Sequence, residues 1–217
     1  MPCKSAVVAA VLMSCLAPMV AAQSQRVTDL AVGKLLVAPR KPPDPRFAET
    51  VILLAQMDQN GALGLMVNRQ TRLTLSSLLD QVKGASKRSD PVFLGGPVEL
   101  DVVLALLRSA KAPDKAPVVM PNTYLVSSRS LLEKALTAGV SPRELHVYMG
   151  YCGWGAGQLQ AEVKLGGWYI FNGDTDLVFN SDPTTVWQKL IDRTELKFAR
   201  TAPAKGATAS NVPAATR

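Results

Sequence analysis

The feature that most constrains the fold is a turn signal between two apolar runs. Residues 51–55 (VILLA) and 63–67 (LGLMV) have the composition of strands, and Asp58, Asn60 and Gly61 lie between them. These residue types favour tight turns, because glycine accepts a positive φ angle and short polar side chains hydrogen-bond to nearby backbone. The pattern therefore predicts an antiparallel hairpin.

Strand-like and helix-like segments follow one another irregularly along the rest of the chain. Further strands are predicted over residues 35–38, 91–94, 102–107, 123–126, 145–149 and 168–171, with a helix as the alternative for residues 102–107. Apolar residues at helical spacing predict helices over residues 74–82, 128–136, 155–165 and 183–191. Because hairpins are mixed with helices and no steady βαβ alternation occurs, the order favours an α+β fold over a doubly wound parallel sheet.

The N-terminus has the organisation of a secretory signal peptide. Residues 1–22 contain one lysine, an apolar run over residues 6–13 and small residues that end at Ala22. The run is shorter than the roughly 20 residues that a membrane span needs. We therefore expect a periplasmic or secreted protein after cleavage near Ala22. Residues 12–15 (LMSC) leave an alternative, a lipoprotein anchored to the membrane through Cys15.

The remaining chain is predicted to form one domain and a tail. Residues 23–196 are the expected domain, and residues 197–217 are expected to be a disordered polar tail because they are rich in Ala, Thr, Pro and Ser. The net charge of +7 comes largely from the two ends of the chain. A nucleic-acid-binding face needs clustered basic residues on the folded body, so no nucleic-acid partner is expected.

Several sequence blocks resemble the bacterial YqgE/AlgH family. They are, in the family's order, 36–38 (LVA), 44–47 (DPRF), 61–69 (GALGLMVNR), 95–97 (GGP), 150–159 (GYCGWGAGQL) with Glu162 and Trp168 after it, and 182–187 (DPTTVW). The resemblance covers residues 30–193. It implies an α+β fold whose bifurcated, mostly antiparallel sheet closes into a small barrel surrounded by helices. It implies no established activity, and the export signal departs from relatives that are typically cytoplasmic.

The block at residues 150–159 is the main candidate site. Its glycines allow close approach of another group, and we expect it to be a loop between a strand and a helix whose free N–H groups could hold an anion. The spacing differs from the dinucleotide-binding G-x-G-x-x-G motif. The alternative is a purely structural turn with Trp154 packed beneath it.

Two polar side chains follow this block at helical spacing. Gln158 and Glu162 project from one helix face and, with Asn68, could line a polar pocket. The alternative is that they only brace neighbouring backbone. The candidate binding residues are Asn68, Arg69, Gly153, Trp154, Gly155, Gln158 and Glu162.

No catalytic residue, metal site or cofactor is predicted. Cys152 and the single histidine, His146, are six residues apart on one strand, about 20 Å at 3.3 Å per residue, which is too far for a catalytic pair. Cys152 is therefore expected to be a buried thiol. Arg46 and Arg69 could bind an acidic ligand, although solvated or ion-paired arginines are the usual case.

Three functions remain open at this point. The leading hypothesis is a non-enzymatic binding or accessory protein of the bacterial envelope, whose partner is an unknown protein or small ligand. The alternative is an enzyme of unknown reaction that uses Gln158, Glu162 and Asn68. A third, transcriptional regulation, follows only from the family label, and no helix-turn-helix pattern supports it.

Overall fold

The structure is a computed structural model that describes residues 29–201, with side chains described as far as Thr194. The predicted signal peptide and residues 202–217 of the predicted tail lie outside this range. The described strands are β1 (Lys34–Val37), β2 (Val51–Asp58), β3 (Gly61–Met66), β4 (Gln70–Thr74), β5 (Pro91–Leu94), β6 (Val98–Arg108), β7 (Val118–Met120), β8 (Thr123–Val126), β9 (Leu145–Gly155) and β10 (Tyr169–Asn172). The helices are α1 (Leu75–Leu78), α2 (Arg129–Thr137), α3 (Gln158–Lys164), α4 (Thr175–Asn180) and α5 (Val186–Thr201).

The ten strands form one curled, mostly antiparallel sheet. The main order is β10-β1-β2-β3-β9-β6-β8-β7, and β4 pairs with β5 beside it. Strand β9 is the branch point, because β5 pairs with it in parallel at Tyr148 and Met149 while β3 pairs with it at residues 152–155. The sheet is therefore bifurcated and curls into a half-barrel, which confirms the α+β class.

The predicted hairpin is confirmed. β2 and β3 are antiparallel neighbours joined by a two-residue turn. The Asp58 carboxylate closes the turn by accepting the N–H groups of Asn60 at 2.7 Å and Gly61 at 3.2 Å. Gly61 has a φ of 151°, in the region that favours glycine.

Three apolar clusters hold the helices to the sheet. The largest fills the inside of the half-barrel around Leu53, Leu65 and Tyr148. A second lies between β6, β9 and helices α1 and α2. The third packs Leu159 and Val163 of α3 against the outer faces of β1, β2 and β9. This third cluster supports the candidate site.

The helix predicted over residues 74–82 is wrong in extent. Only α1 is helical, and it ends where the Leu79 N–H bonds the Leu75 carbonyl. Val82 and Ala85 then follow in three-residue turns, in which each N–H bonds the carbonyl three residues earlier. These turns bury the same apolar side chains that produced the helical pattern. By contrast, residues 102–107 belong to strand β6, as preferred from the sequence.

Four short elements were not predicted from the sequence: β4, β7, α4 and a 3-10 helix at Pro45–Phe47. Helix α4 carries a local signal, since the Asp174 carboxylate caps it by accepting the N–H of Asp176 at 2.8 Å. The last helix runs to Thr201, so the domain boundary predicted at residue 196 lies within it. Within residues 29–201 no helix is both long enough and apolar enough to cross a membrane.

Candidate functional site

The glycine block is a strand, and the prediction of a loop there is wrong. β9 continues to Gly155, and its last residues pair with β3, with Trp154 opposite Ala62 and Cys152 opposite Gly64. The backbone of β3 provides the hydrogen-bond partners that make these residues of β9 a strand. A short turn follows, in which Gly157 has a φ of +74° and precedes α3. After this turn, α3 packs Leu159 and Val163 against Cys152 and Trp154 of β9.

Glu162 on α3 is the polar centre of the site. Its Oε2 accepts the indole N–H of Trp168 at 2.8 Å and that of Trp154 at 3.0 Å. Its Oε1 accepts the amide N–H of Gln158 at 3.0 Å. Gln158 in turn accepts the backbone N–H of Gly155 at 3.1 Å. One carboxylate thus joins α3, the end of β9 and the start of β10.

A pocket of about 420 Å³ opens beside this carboxylate. Gly153, Trp154, Gln158 and Glu162 line it from β9 and α3. Another wall comes from earlier in the chain, and its apolar members are Pro42, Pro43, Phe47, Pro97 and Val98. Trp168 and Leu165 also line the pocket, and Leu165 is 88% exposed at its mouth.

Three aromatic rings, those of Phe47, Trp154 and Trp168, line the pocket and contact one another. The Phe47 ring meets the Trp168 ring edge to face at a centroid distance of 5.4 Å, and Trp154 meets Trp168 at 6.3 Å in the same manner. Both indoles are buried, with 7% and 4% of their surface exposed. Because burial and the hydrogen bonds to Glu162 fix both rings, the wall is preorganised.

The charged groups at the rim neutralise each other. Asp44 accepts the backbone N–H of Arg46 at 2.9 Å and its guanidinium N–H groups at 2.6–3.1 Å. These hydrogen bonds hold the pKa of the Asp44 carboxyl below its ordinary 3.8. Glu162, in contrast, forms no ion pair with any lysine, arginine or histidine among residues 29–194. The pocket therefore carries one uncompensated negative charge.

Cys152 lines the pocket as a buried thiol, which confirms the prediction of burial. Only 2% of the residue is exposed, and its Sγ donates weakly to the Gly95 carbonyl at 3.5 Å. Burial raises the pKa of the thiol to about 12. A neutral thiol is a poor nucleophile, so this cysteine has the properties of a core residue.

His146 lies in the main core, away from the pocket. Its ring stacks on Phe93 at 4.7 Å and lies 4.8 Å from Phe179. Burial lowers its pKa from 6.5 to about 4. His146 and Cys152 lie on one continuous strand, and no cluster of three metal-ligating side chains occurs in the part of the chain that the structure describes.

Asn68 and Arg69 do not line the pocket. The Asn68 amide accepts the N–H of Val51 at 2.9 Å and donates to the Glu49 carbonyl at 2.9 Å. Arg69 donates to the carbonyl of Ala48 and to the Thr50 hydroxyl. Both side chains fix the chain that enters β2. The predicted three-residue pocket therefore contains Gln158 and Glu162 without Asn68.

Of the seven predicted residues, the structure thus places four in the pocket lining. Gly155 joins them through its hydrogen bond to Gln158. Two parts of the pocket lining were not predicted from the sequence: the wall formed by residues 42–47, and Leu165 at the mouth. Trp168 and residues 44–47 were identified as parts of the family pattern, and Arg46 also as a candidate for binding an acidic ligand. Nothing local in either segment shows that the two meet.

Together the fold and the site define an α+β half-barrel protein with an aromatic side pocket. Over residues 35–199 the chain matches the family model described as AlgH-like. A UPF0301 protein of Xanthomonas campestris is 36% identical over 165 residues, which cover 74% of this chain and 87% of that protein. A UPF0301 protein of Streptomyces avermitilis is 33% identical over 182 residues, which cover 79% and 91%.

A solved structure agrees with these sequence matches. The solution structure of the AlgH protein from Pseudomonas aeruginosa superposes with a TM-score of 0.62 at 26% identity, over 80% of this chain and 95% of that one. The chain therefore belongs to the AlgH-like, UPF0301 family, which is uncharacterised. The resemblance predicted from the sequence is confirmed.

Proposed function

We propose that this protein binds a ligand in the pocket beside Glu162 and works as a binding or accessory protein of the bacterial envelope. The observation that carries the proposal is the preorganised site, in which one carboxylate fixes two tryptophan side chains at the edge of a pocket of about 420 Å³. Small-molecule sites are commonly concave, mostly apolar and supplied with a few fixed polar groups.

Binding accounts for the lining residues better than catalysis does. Cys152 is protonated at neutral pH, because burial raises its pKa to about 12. His146 lies in another part of the core, and Asn68 is engaged with backbone. The enzyme hypothesis thus loses one of its three polar groups, while the binding hypothesis requires only the pocket.

The envelope location rests on residues 1–22. Their charged start, apolar run and small residues before the predicted cleavage point are the features of a secretory signal. N-terminal sequencing of the protein from fractionated cells tests this. A periplasmic protein that begins after Ala22 supports ordinary export, and fatty-acid labelling at Cys15 supports the lipoprotein form. An uncleaved cytoplasmic protein would refute the proposed location.

Ligand retention tests the pocket. The protein beginning after Ala22 is equilibrated with an envelope extract, washed and denatured, and released compounds are identified by mass spectrometry. The variant L165W places a bulky ring at the mouth, whereas L73W changes an exposed leucine outside the pocket. We expect a compound that is retained by the natural protein and L73W and lost from L165W. Equal retention by all three proteins would contradict the proposed site.

A further inference from the structure

We infer that the ligand is an organic cation, a protonated amine carried on a flat apolar body. This inference rests on the proposed function and adds the chemical class of the ligand. It follows from three features of the pocket: the charge of Glu162, the hydrogen-bonding capacity left on its carboxylate, and the aromatic wall.

The charge of the pocket is negative. The donors that reach Glu162 are two indoles and one amide, all neutral. Arg46, the cation that lines the pocket, donates to both carboxylate oxygens of Asp44. A neutral ligand leaves the Glu162 charge uncompensated, and an anion is repelled by it. A cation supplies the missing charge, and the attraction strengthens as the walls exclude water.

The carboxylate also has room for one more donor. An ionised carboxylate offers about four acceptor positions on its two oxygens. Oε2 accepts two indole N–H groups, while Oε1 accepts only the amide of Gln158. The remaining position is on Oε1. An ammonium group has three N–H donors and no acceptor, so it can occupy this position without conflict with the donors already present.

The walls suit the rest of such a ligand. Phe47, Trp154 and Trp168 present aromatic surface, and the prolines at 42, 43 and 97 add flat apolar surface. Aromatic rings attract cations through their negative faces, and they also pack against flat apolar groups. An aromatic body with a short ammonium arm can therefore contact the wall and Glu162 together.

Three probes with one shape and different charge test this inference. They are phenethylammonium, 2-phenylethanol and phenylacetate, each titrated into the protein labelled with ¹⁵N. The chain has three tryptophans, and the indole N–H signals of Trp154 and Trp168 report on Glu162 directly. The third, Trp187, donates to the Ala38 carbonyl outside the pocket lining and is an internal control.

We expect phenethylammonium to shift the Trp154 and Trp168 signals and leave Trp187 unchanged. Its affinity should exceed that of 2-phenylethanol by about tenfold, because the amine forms a charge-assisted hydrogen bond. Phenylacetate should bind more weakly than the alcohol. In E162Q the amine should lose its advantage over the alcohol, because the variant keeps the size of the side chain, removes its charge and replaces one acceptor oxygen with an N–H donor.

A second variant, which keeps Glu162 in place, tests the inference even if E162Q does not fold. Leu165 is the residue at the C-terminal end of α3, three positions after Glu162, a spacing that brings two side chains to the same side of a helix. L165R therefore supplies a cation to Glu162 from within the chain and should weaken phenethylammonium binding about tenfold. L73R carries the same charge on an exposed position outside the pocket and should bind as the natural protein does.

The outcomes separate this inference from the proposed function. Equal affinity for the three probes, with shifts at Trp154 and Trp168, would refute the cation and leave pocket binding supported. Absence of any shift by phenethylammonium would also refute the cation. The retention experiment with the envelope extract then decides the proposed function independently.

Discussion

Among single residues, burial determines what the ionisable side chains can do. His146 is the clearest example, because its half-buried ring packs against Phe93 and Phe179 and its Nδ1 has no hydrogen-bond partner. Burial favours the neutral imidazole and lowers its pKa from 6.5 to about 4. His146 therefore binds a proton less readily in the folded protein than in the unfolded chain, where it is protonated at a higher pH.

This pKa predicts a loss of stability in mild acid. The folded pKa is depressed, so the full contribution is present above pH 6.5 and disappears as the pH falls toward 4. The loss in the free energy of unfolding approaches about 3 kcal/mol as the pH nears 4. Urea unfolding measured across this range should show the decrease. The variant H146F cannot titrate and should lack it, and equal pH profiles for both proteins would contradict the assignment.

The buried thiol of Cys152 makes a second prediction at this scale. Its raised pKa and small exposed surface predict very slow reaction with a thiol reagent in the native state at about pH 8. After denaturation in urea the same thiol should react rapidly. The measurement uses the protein beginning after Ala22, in which Cys152 is the remaining cysteine. Rapid labelling of the native protein would contradict burial.

At the scale of elements, the contacts between β9 and its neighbours control the site. The amide of Gln158 bridges the Gly155 N–H and the Glu162 carboxylate, and thereby links the end of β9 to α3. Q158A should reduce the free energy of unfolding by about 1 kcal/mol, because both hydrogen bonds are lost. Chemical denaturation measures the change. Unchanged stability would show that the bridge does not brace the site.

Gly96 controls the packing of the segment before β6 on β9. A Cβ at this position would lie 2.1 Å from the Tyr151 carbonyl carbon and 2.4 Å from the Cys152 nitrogen, both backbone atoms. G96A should therefore destabilise the fold by about 3 kcal/mol or more. Gly139 is the matched control, because it has a φ of +70° and open space around it. G139A should cost about 1 kcal/mol through backbone strain alone. Equal losses would contradict the steric argument.

The same elements show what local sequence can predict. The β2–β3 hairpin was predictable because Asp58, Asn60 and Gly61 carry their own turn chemistry. The end of β9 was not, because its glycines give no alternating side-chain pattern and its strand pairing is supplied by β3. The helix predicted over residues 74–82 was too long, because the turns after α1 bury apolar side chains at nearly helical spacing.

For the whole molecule, the fold class followed from the order of hairpins and helices, while the pocket did not. Gln158 and Glu162 were identified because helical spacing places them on one face. Another wall of the same pocket comes from residues 42–47, which lie more than a hundred positions before Gln158 in the sequence. Such contacts depend on how the sheet curls, and no local pattern encodes them. Asn68 was misplaced for the same reason, since its partners lie in the chain entering β2.

The central claim is that Glu162 is the ligand-binding group of the pocket. A crystal structure of the protein soaked with phenethylammonium tests it most directly. We predict the ammonium nitrogen within about 3 Å of Glu162 Oε1, with the phenyl ring packed against the aromatic side chains that line the pocket. A probe bound with its nitrogen directed to solvent, or bound only outside the pocket that Glu162 lines, would contradict the claim.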